Sequence, residues 1–138
     1  MKTATTVLQV WIRGGGVIMI GLGLLFWTGN ADLLIPLHML LGITLVLALW
    51  ALAALGAVAR VGLRLVALAL VWGAITPVLG LTQTQLLSGS GHWLIQVAHL
   101  MVGLGVIGLG DTLARRIKRN RAPRQSASHA TVVEGVTP

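Results

Sequence analysis

The feature that most constrains this chain is a series of four long apolar stretches with very few charged residues. They cover about 11–29, 33–59, 62–81 and 93–113. A membrane hydrocarbon layer about 30 Å thick is crossed by roughly 20 helical residues. Of all residues, 56% are apolar and 9% are charged, which leaves too few ionised groups to cover a soluble domain. The sequence therefore predicts an all-α integral membrane protein with four transmembrane helices.

The positions of the basic residues predict the orientation of these helices. Lys2 and Arg13 lie at the start of the first stretch, Arg60 and Arg64 lie between the second and the third, and a basic cluster follows the fourth. The loops at 30–32 and 82–92 contain no Lys or Arg. Because basic loops stay on the cytoplasmic side, both termini are predicted to be cytoplasmic. The short connections favour an up-and-down four-helix bundle.

The basic segment after the fourth stretch predicts contact with lipid rather than nucleic acid. Six of the ten basic residues lie between Arg115 and Arg124, where positive charges set topology and meet the headgroups of the lipid bilayer. Beyond about Arg124 the composition turns to Ser, Ala, Thr and Gly with little apolar pattern. Residues 115–138 are therefore predicted to form a basic and then disordered cytoplasmic tail after a membrane domain at 1–114.

A short repeat carries the most specific chemistry in the sequence. The second stretch contains His38-Met-Leu-Leu-Gly42, and the fourth contains His99-Leu-Met-Val-Gly103. Both histidines lie five or six residues into their stretches, which places them roughly 8 Å from the same ends of two parallel helices. In the predicted bundle these helices are diagonal partners roughly 12 to 14 Å apart. Two imidazoles that point inward can bind one iron atom across that distance.

The glycine four residues after each histidine supports the same interpretation. Gly42 and Gly103 fall on the histidine face of their helices, one turn further along, where the missing side chain leaves room for a flat porphyrin. Ordinary close packing of membrane helices also enriches glycine, so this alternative stays open. The chain has no cysteine, which excludes thiolate metal sites, iron–sulfur clusters and cysteine nucleophiles.

With these two motifs and four helices, the chain resembles the small four-helix transmembrane b-type cytochromes over roughly 11–113. The resemblance implies one haem b whose iron has His38 and His99 as axial ligands. It also implies haem propionates that point outward, towards Asn30, Gln83, Gln96 or His92. Unlike many such cytochromes, the chain has no second histidine pair near the cytoplasmic ends of these helices, so electron transfer across the whole membrane would need a partner.

The expected function is electron transfer with a quinone or a partner redox protein at the outer face, rather than stand-alone enzymatic catalysis. Small size and short loops predict a homo-oligomer or a subunit of a larger complex. A bacterial cytoplasmic membrane is the expected location. No catalytic residues are predicted.

Several alternatives to haem remain open. The histidines can act as interhelical hydrogen-bonding groups in a cofactor-free accessory subunit of a larger membrane complex. A zinc or copper site needs more ligands than two histidines supply, and a proton- or cation-coupled transporter normally uses carboxylates in mid-span, which are missing here. Arg13 is interpreted as an anchor that extends to the headgroups, and Asp111 as the partner of Arg115.

Overall fold

The computed structural model describes residues 2–29, 31–87 and 89–134, with side chains as far as Arg121. Within these ranges the chain forms helices and no strand. The four long helices are α1 (Lys2–Phe26), α2 (Ile35–Val58), α3 (Leu63–Thr82) and α4 (His92–Glu134), with short 3-10 turns at Asp32–Leu34 and Gln83–Gln85. Each long helix is long and apolar enough to cross a membrane. The predicted all-helical class and the four candidate spans agree with this fold.

Two helices extend beyond their predicted spans. Helix α1 begins at Lys2 rather than near residue 11, and its early polar residues Thr5 and Gln9 are 1% and 8% exposed. Helix α4 continues past residue 113 through the basic segment to Glu134. The two extensions support each other, because Lys118 Nζ donates a hydrogen bond to Gln9 Oε1 at 2.8 Å.

The basic segment that was predicted to leave the membrane as a tail is thus helical in backbone as far as Glu134. Its side chains beyond Arg121 and the backbone of 135–138 lie outside the described residues. The predicted disorder beyond Arg124 stays a prediction.

The helices form a bundle in which α2 and α4 touch directly, with α1 and α3 on either side of this pair. Polar contacts show that α1 and α4 are antiparallel: Gln9, early in α1, bonds to residues late in α4, and Trp27, just after α1, bonds to Gln96 early in α4. The contact between α2 and α4 is closer than the predicted diagonal, since Cα atoms of the two helices approach within 8 Å. Small residues permit this approach: Leu113 of α4 packs over Gly56 of α2.

The buried core occupies only one half of the bundle. We call residues 2–16, 45–73 and 106–121 the core half; it holds one cluster of buried apolar residues: Ile12, Ala48, Leu49, Leu52, Ala53, Val61, Val66, Ala69, Val106, Leu113, Ala114 and Ile117. We call residues 17–29, 31–44, 74–87 and 89–105 the histidine half, because His38 and His99 lie there. Among its residues, only Ala31 is buried. The helices are therefore tightly packed at one end and loosely packed at the other.

Two tryptophans connect consecutive helices by the same contact. Trp50 Nε1 of α2 donates to the carbonyl oxygen of Leu70 in α3 at 3.2 Å, and Trp72 Nε1 of α3 donates to the carbonyl oxygen of Val102 in α4 at 2.9 Å. Three residues after each acceptor stands a glycine, and a Cβ atom at either glycine would collide with the indole. Gly73 and Gly105 are therefore needed for these indoles to reach the backbone.

Candidate functional site

His38 and His99 lie next to each other in the histidine half. His38 is in the first turn of α2, and His99 is about two turns into α4. Their ring centroids are 6.3 Å apart, and the ring planes are tilted by 45°. The structure therefore brings together the two histidines that the sequence pairs by their depth.

Each of the two imidazoles has a buried nitrogen with no hydrogen-bond partner among the described residues. The atoms are His38 Nδ1 and His99 Nδ1. A buried polar atom without a partner costs about 1 to 3 kcal/mol, and native proteins rarely leave one unused. The two neighbouring rings therefore each have a nitrogen that no described protein group uses.

The two rings are held by different helices. The ring of Phe26, at the end of α1, meets the His38 ring edge to face at a centroid distance of 5.2 Å. On the opposite side, the His99 imidazole packs over Gly80 of α3, where an added Cβ would lie 3.1 Å from Cε1 of the ring. Gly80 stands one turn after Pro77, and α3 remains one continuous helix through that proline. All four helices therefore contribute to the surroundings of the pair.

The glycines predicted to border a porphyrin have different surroundings. At Gly42, an added Cβ would lie 3.1 Å from the methyl carbon of Met19, so this side chain of α1 occupies the adjacent space. At Gly103, no atom lies within 4 Å of that position, and the same is true of Gly21 and Gly23 in α1. A role for Gly42 and Gly103 beside a cofactor stays a prediction.

The polar groups expected near the propionates lie at the loop end of the histidine half. Trp27 Nε1 donates a hydrogen bond to Gln96 Oε1, which joins the end of α1 to α4. His92 begins α4, and its Nδ1 lies 3.4 Å from the carbonyl oxygen of Leu86. Gln83 begins the 3-10 turn after α3, and Asn30 lies outside the described residues. None of these contacts tests the propionate prediction.

An ion pair in the core half was missed by sequence reasoning. Arg13 binds Asp111 through two parallel hydrogen bonds, Nε to Oδ1 at 2.7 Å and Nη2 to Oδ2 at 2.9 Å. The predicted pair of Asp111 with Arg115 is also present, at 3.7 Å. Arg13 is thus more than a headgroup anchor, because it joins α1 to α4. The available signal was a lone charge in each of two apolar stretches, which is costly in a membrane unless the two charges meet.

The spacing of the imidazoles fits two axial ligands of one metal ion. With metal–nitrogen bonds of about 2.0 Å, two such rings have facing nitrogens about 4 Å apart and centroids about 6 to 6.5 Å apart. The observed centroid distance is 6.3 Å. Among the described residues, no group of three or more His, Cys, Asp or Glu side chains is placed to hold a metal ion. A metal bound by the pair would therefore need any further ligands from groups other than these side chains.

Comparisons with protein families, curated proteins and solved structures find no match to this chain.

Proposed function

We propose that this chain is a membrane b-type cytochrome that binds one haem b between His38 and His99 and exchanges electrons with a quinone or a partner redox protein. The observation that carries the proposal is the pair of facing imidazoles, 6.3 Å apart, each with a buried and unpartnered nitrogen. Axial ligation would give one nitrogen of each ring a bond that no protein group supplies.

The uneven packing of the bundle supports the proposal. The core half is filled by apolar side chains, whereas the histidine half has Ala31 as its sole buried residue among those described. A bundle held together at one end can open at the other at little cost in core contacts. A flat apolar macrocycle between the helices would supply the missing core of the histidine half.

The residues around the pair have separate roles in this proposal. His38 and His99 hold the iron, and the haem supplies reversible one-electron oxidation and reduction. Phe26 limits rotation of the His38 ring by edge contact, and Gly80 leaves the space that the His99 ring occupies. The apolar side chains of the four helices keep water away from the iron, which is one way a protein sets a reduction potential.

The proposed orientation places the histidine half at the outer face of a cell membrane, with a bacterial cytoplasmic membrane as the expected location. Its supporting observation is the charge distribution: all ten basic residues lie in the core half or in the segment after it. Positive charge is retained on the cytoplasmic side. Both termini are cytoplasmic in this arrangement, and His38 and His99 would hold the haem near the outer surface.

The histidine content supports a need for a partner. The chain has four histidines, and none falls in the core half. A second bis-histidine haem towards the cytoplasmic side therefore has no ligands here. We infer that the chain works as a homo-oligomer or as a subunit of a larger redox complex, in which a neighbour donates or receives the electron.

A second candidate function is a cofactor-free accessory subunit. It is favoured by the direct contact of α2 and α4, because these two helices already pack against each other without any cofactor. In that case the histidines would be expected to hydrogen-bond across the helix interface. The unpartnered Nδ1 atoms of both rings weigh against this role.

The deciding experiment is a visible absorption spectrum of the purified full chain, oxidised and then reduced with dithionite, after expression with added haem precursor. A sharp Soret band and narrow reduced α and β bands are expected for bis-histidine haem. His38→Ala and His99→Ala should each abolish the low-spin spectrum, because one axial ligand is lost.

The matched control is His92→Ala, which removes a half-buried histidine at the loop end of the same half of the bundle and should leave the spectrum unchanged. An unaltered bis-histidine spectrum in His38→Ala or His99→Ala would overturn the ligand assignment. A colourless wild-type protein would favour the accessory subunit.

A further inference from the structure

The seam between α1 and α4 in the core half holds a network of charged and polar side chains far from the histidines. We call it the seam cluster and define it by five residues: Gln9, Arg13, Asp111, Arg115 and Lys118. Asp111 accepts hydrogen bonds from Arg13 and from Gln9 Nε2, the latter at 3.0 Å, and Lys118 binds the other end of the Gln9 amide. The cluster is therefore a fixed arrangement rather than a set of independent surface charges.

The seam cluster carries more positive charge than the chain can balance. Its three cations face one carboxylate, which leaves a formal charge of +2 from +3 and −1. The next turns of α4 add the exposed cations Arg116 and Arg119. The other two acids of the chain are Asp32, at the loop end of the histidine half, and Glu134. An anionic group of another molecule would be attracted to this excess positive charge.

The depth of Arg13 limits which molecule can reach the cluster. Arg13 pairs with Asp111, one turn of α4 before Arg115, so it lies roughly 6 Å further into the apolar part of the bundle. It follows Val10 and Trp11, which are 63% and 47% exposed on α1. A phospholipid offers both a phosphate for Arg13 and acyl chains for such apolar residues, whereas a soluble anion has no apolar part to contact them.

The fixed geometry leaves donors free for a phosphate. Arg13 uses its Nε and Nη2 atoms on Asp111, and its side chain is 55% exposed. The Arg115 side chain is 63% exposed and makes two long contacts, one of 3.7 Å to the same carboxylate and one of 3.5 Å from Nη2 to Thr112 Oγ1. The remaining guanidinium hydrogens of both residues can bind phosphate oxygens with charge assistance.

We propose that the seam cluster is a binding site for the phosphate group of an anionic phospholipid in the leaflet that faces the core half. Arg13, held by Asp111, forms the deep side of the site, and Arg115 and Lys118 form the side nearer the water. The site is separate from the histidine pair, because Asp111 lies twelve residues after His99, or about 18 Å along α4. The proposal does not depend on haem.

The test is native mass spectrometry of the full chain, delipidated and titrated with phosphatidylglycerol or phosphatidylcholine. We expect the first phosphatidylglycerol to bind clearly more tightly than phosphatidylcholine. The double variant Arg115→Gln, Lys118→Gln should weaken the first phosphatidylglycerol roughly 30-fold, which corresponds to about 1 kcal/mol for each basic residue removed.

Two further variants separate a site from general charge attraction. Arg60→Gln, Arg64→Gln removes two exposed cations, one in the α2–α3 connection and one in the first turn of α3, at the same end of the bundle and should change binding little. Arg115→Lys, Lys118→Arg keeps the charge and should retain tight binding. An equal loss in the Arg60, Arg64 variant, equal affinity for the two lipids, or displacement of the lipid by equimolar inorganic phosphate would overturn the proposal.

Discussion

At the scale of single residues, two sets of polar side chains in the apolar bundle differ in their hydrogen bonding. Both carboxylate oxygens of Asp111 have partners, among Gln9, Arg13 and Arg115. His38 and His99 leave one buried nitrogen each without a partner. An unpartnered buried polar group is destabilising. The Asp111 carboxylate avoids this cost, so a structural role is enough to explain it. The unpartnered nitrogens of His38 and His99 are the observation behind the proposed haem site.

Replacing Asp111 tests whether its contacts stabilise the packing of α1 against α4. Asp111→Asn keeps the size of the side chain but removes the charge that Arg13 and Arg115 share, so the α1–α4 seam should loosen. We expect the melting temperature in detergent to fall by a few degrees, and by less at high salt, because screening already weakens such exposed pairs.

The control for this change is Asp32→Asn, which neutralises an acid that is exposed and forms no ion pair with any described residue. Its melting temperature should match that of the wild type at both salt concentrations. A fall in Asp32→Asn equal to that in Asp111→Asn would mean that net charge, rather than the seam, sets the stability.

At the scale of helices, the two indole contacts join α2 to α3 and α3 to α4 through backbone carbonyls. Gly105→Ala should push the Trp72 indole from its place and weaken its hydrogen bond to Val102. Overpacking of this kind costs about 1 to 3 kcal/mol, which exceeds the gain of up to about 1 kcal/mol that alanine brings over glycine in a helix. Unfolding by denaturing detergent should show the net loss.

Gly108→Ala is the matched control on the same helix, since no atom lies within 4 Å of a Cβ at Gly108. It should be neutral or slightly stabilising, by helix propensity alone. If both alanine variants were equally stable, the contact of Trp72 over Gly105 would not matter to the packing of α3 against α4.

The helices also show which structural features of this chain can be predicted from sequence patterns. Apolar length and basic flanks predicted the four helices, and the equal depth of His38 and His99 predicted that they meet. The patterns did not predict that α1 starts at Lys2, because its first turns are polar in sequence, and the bond of Gln9 to Lys118 depends on the extension of α4. They also missed the pairing of Arg13 with Asp111, since the two residues are 98 positions apart and no local spacing relates them.

At the scale of the whole molecule, charge and packing divide the bundle in the same way. The basic residues and the apolar core share one half, while the histidine pair, the loosely packed helix ends and the loops without Lys or Arg share the other. The proposed orientation, with the core half on the cytoplasmic side, follows from this distribution of charge and can be tested directly.

The absence of cysteine from the sequence makes that test simple, because single cysteines can be introduced without a background. Thr3→Cys and Ser90→Cys place thiols at exposed positions on the two ends of the bundle. In intact cells, a membrane-impermeant maleimide should label Ser90→Cys and spare Thr3→Cys, since basic flanks keep the start of α1 in the cytoplasm. Both should react equally after detergent solubilisation. Labelling of Thr3→Cys from outside would reverse the orientation and move the histidine pair to the cytoplasmic face.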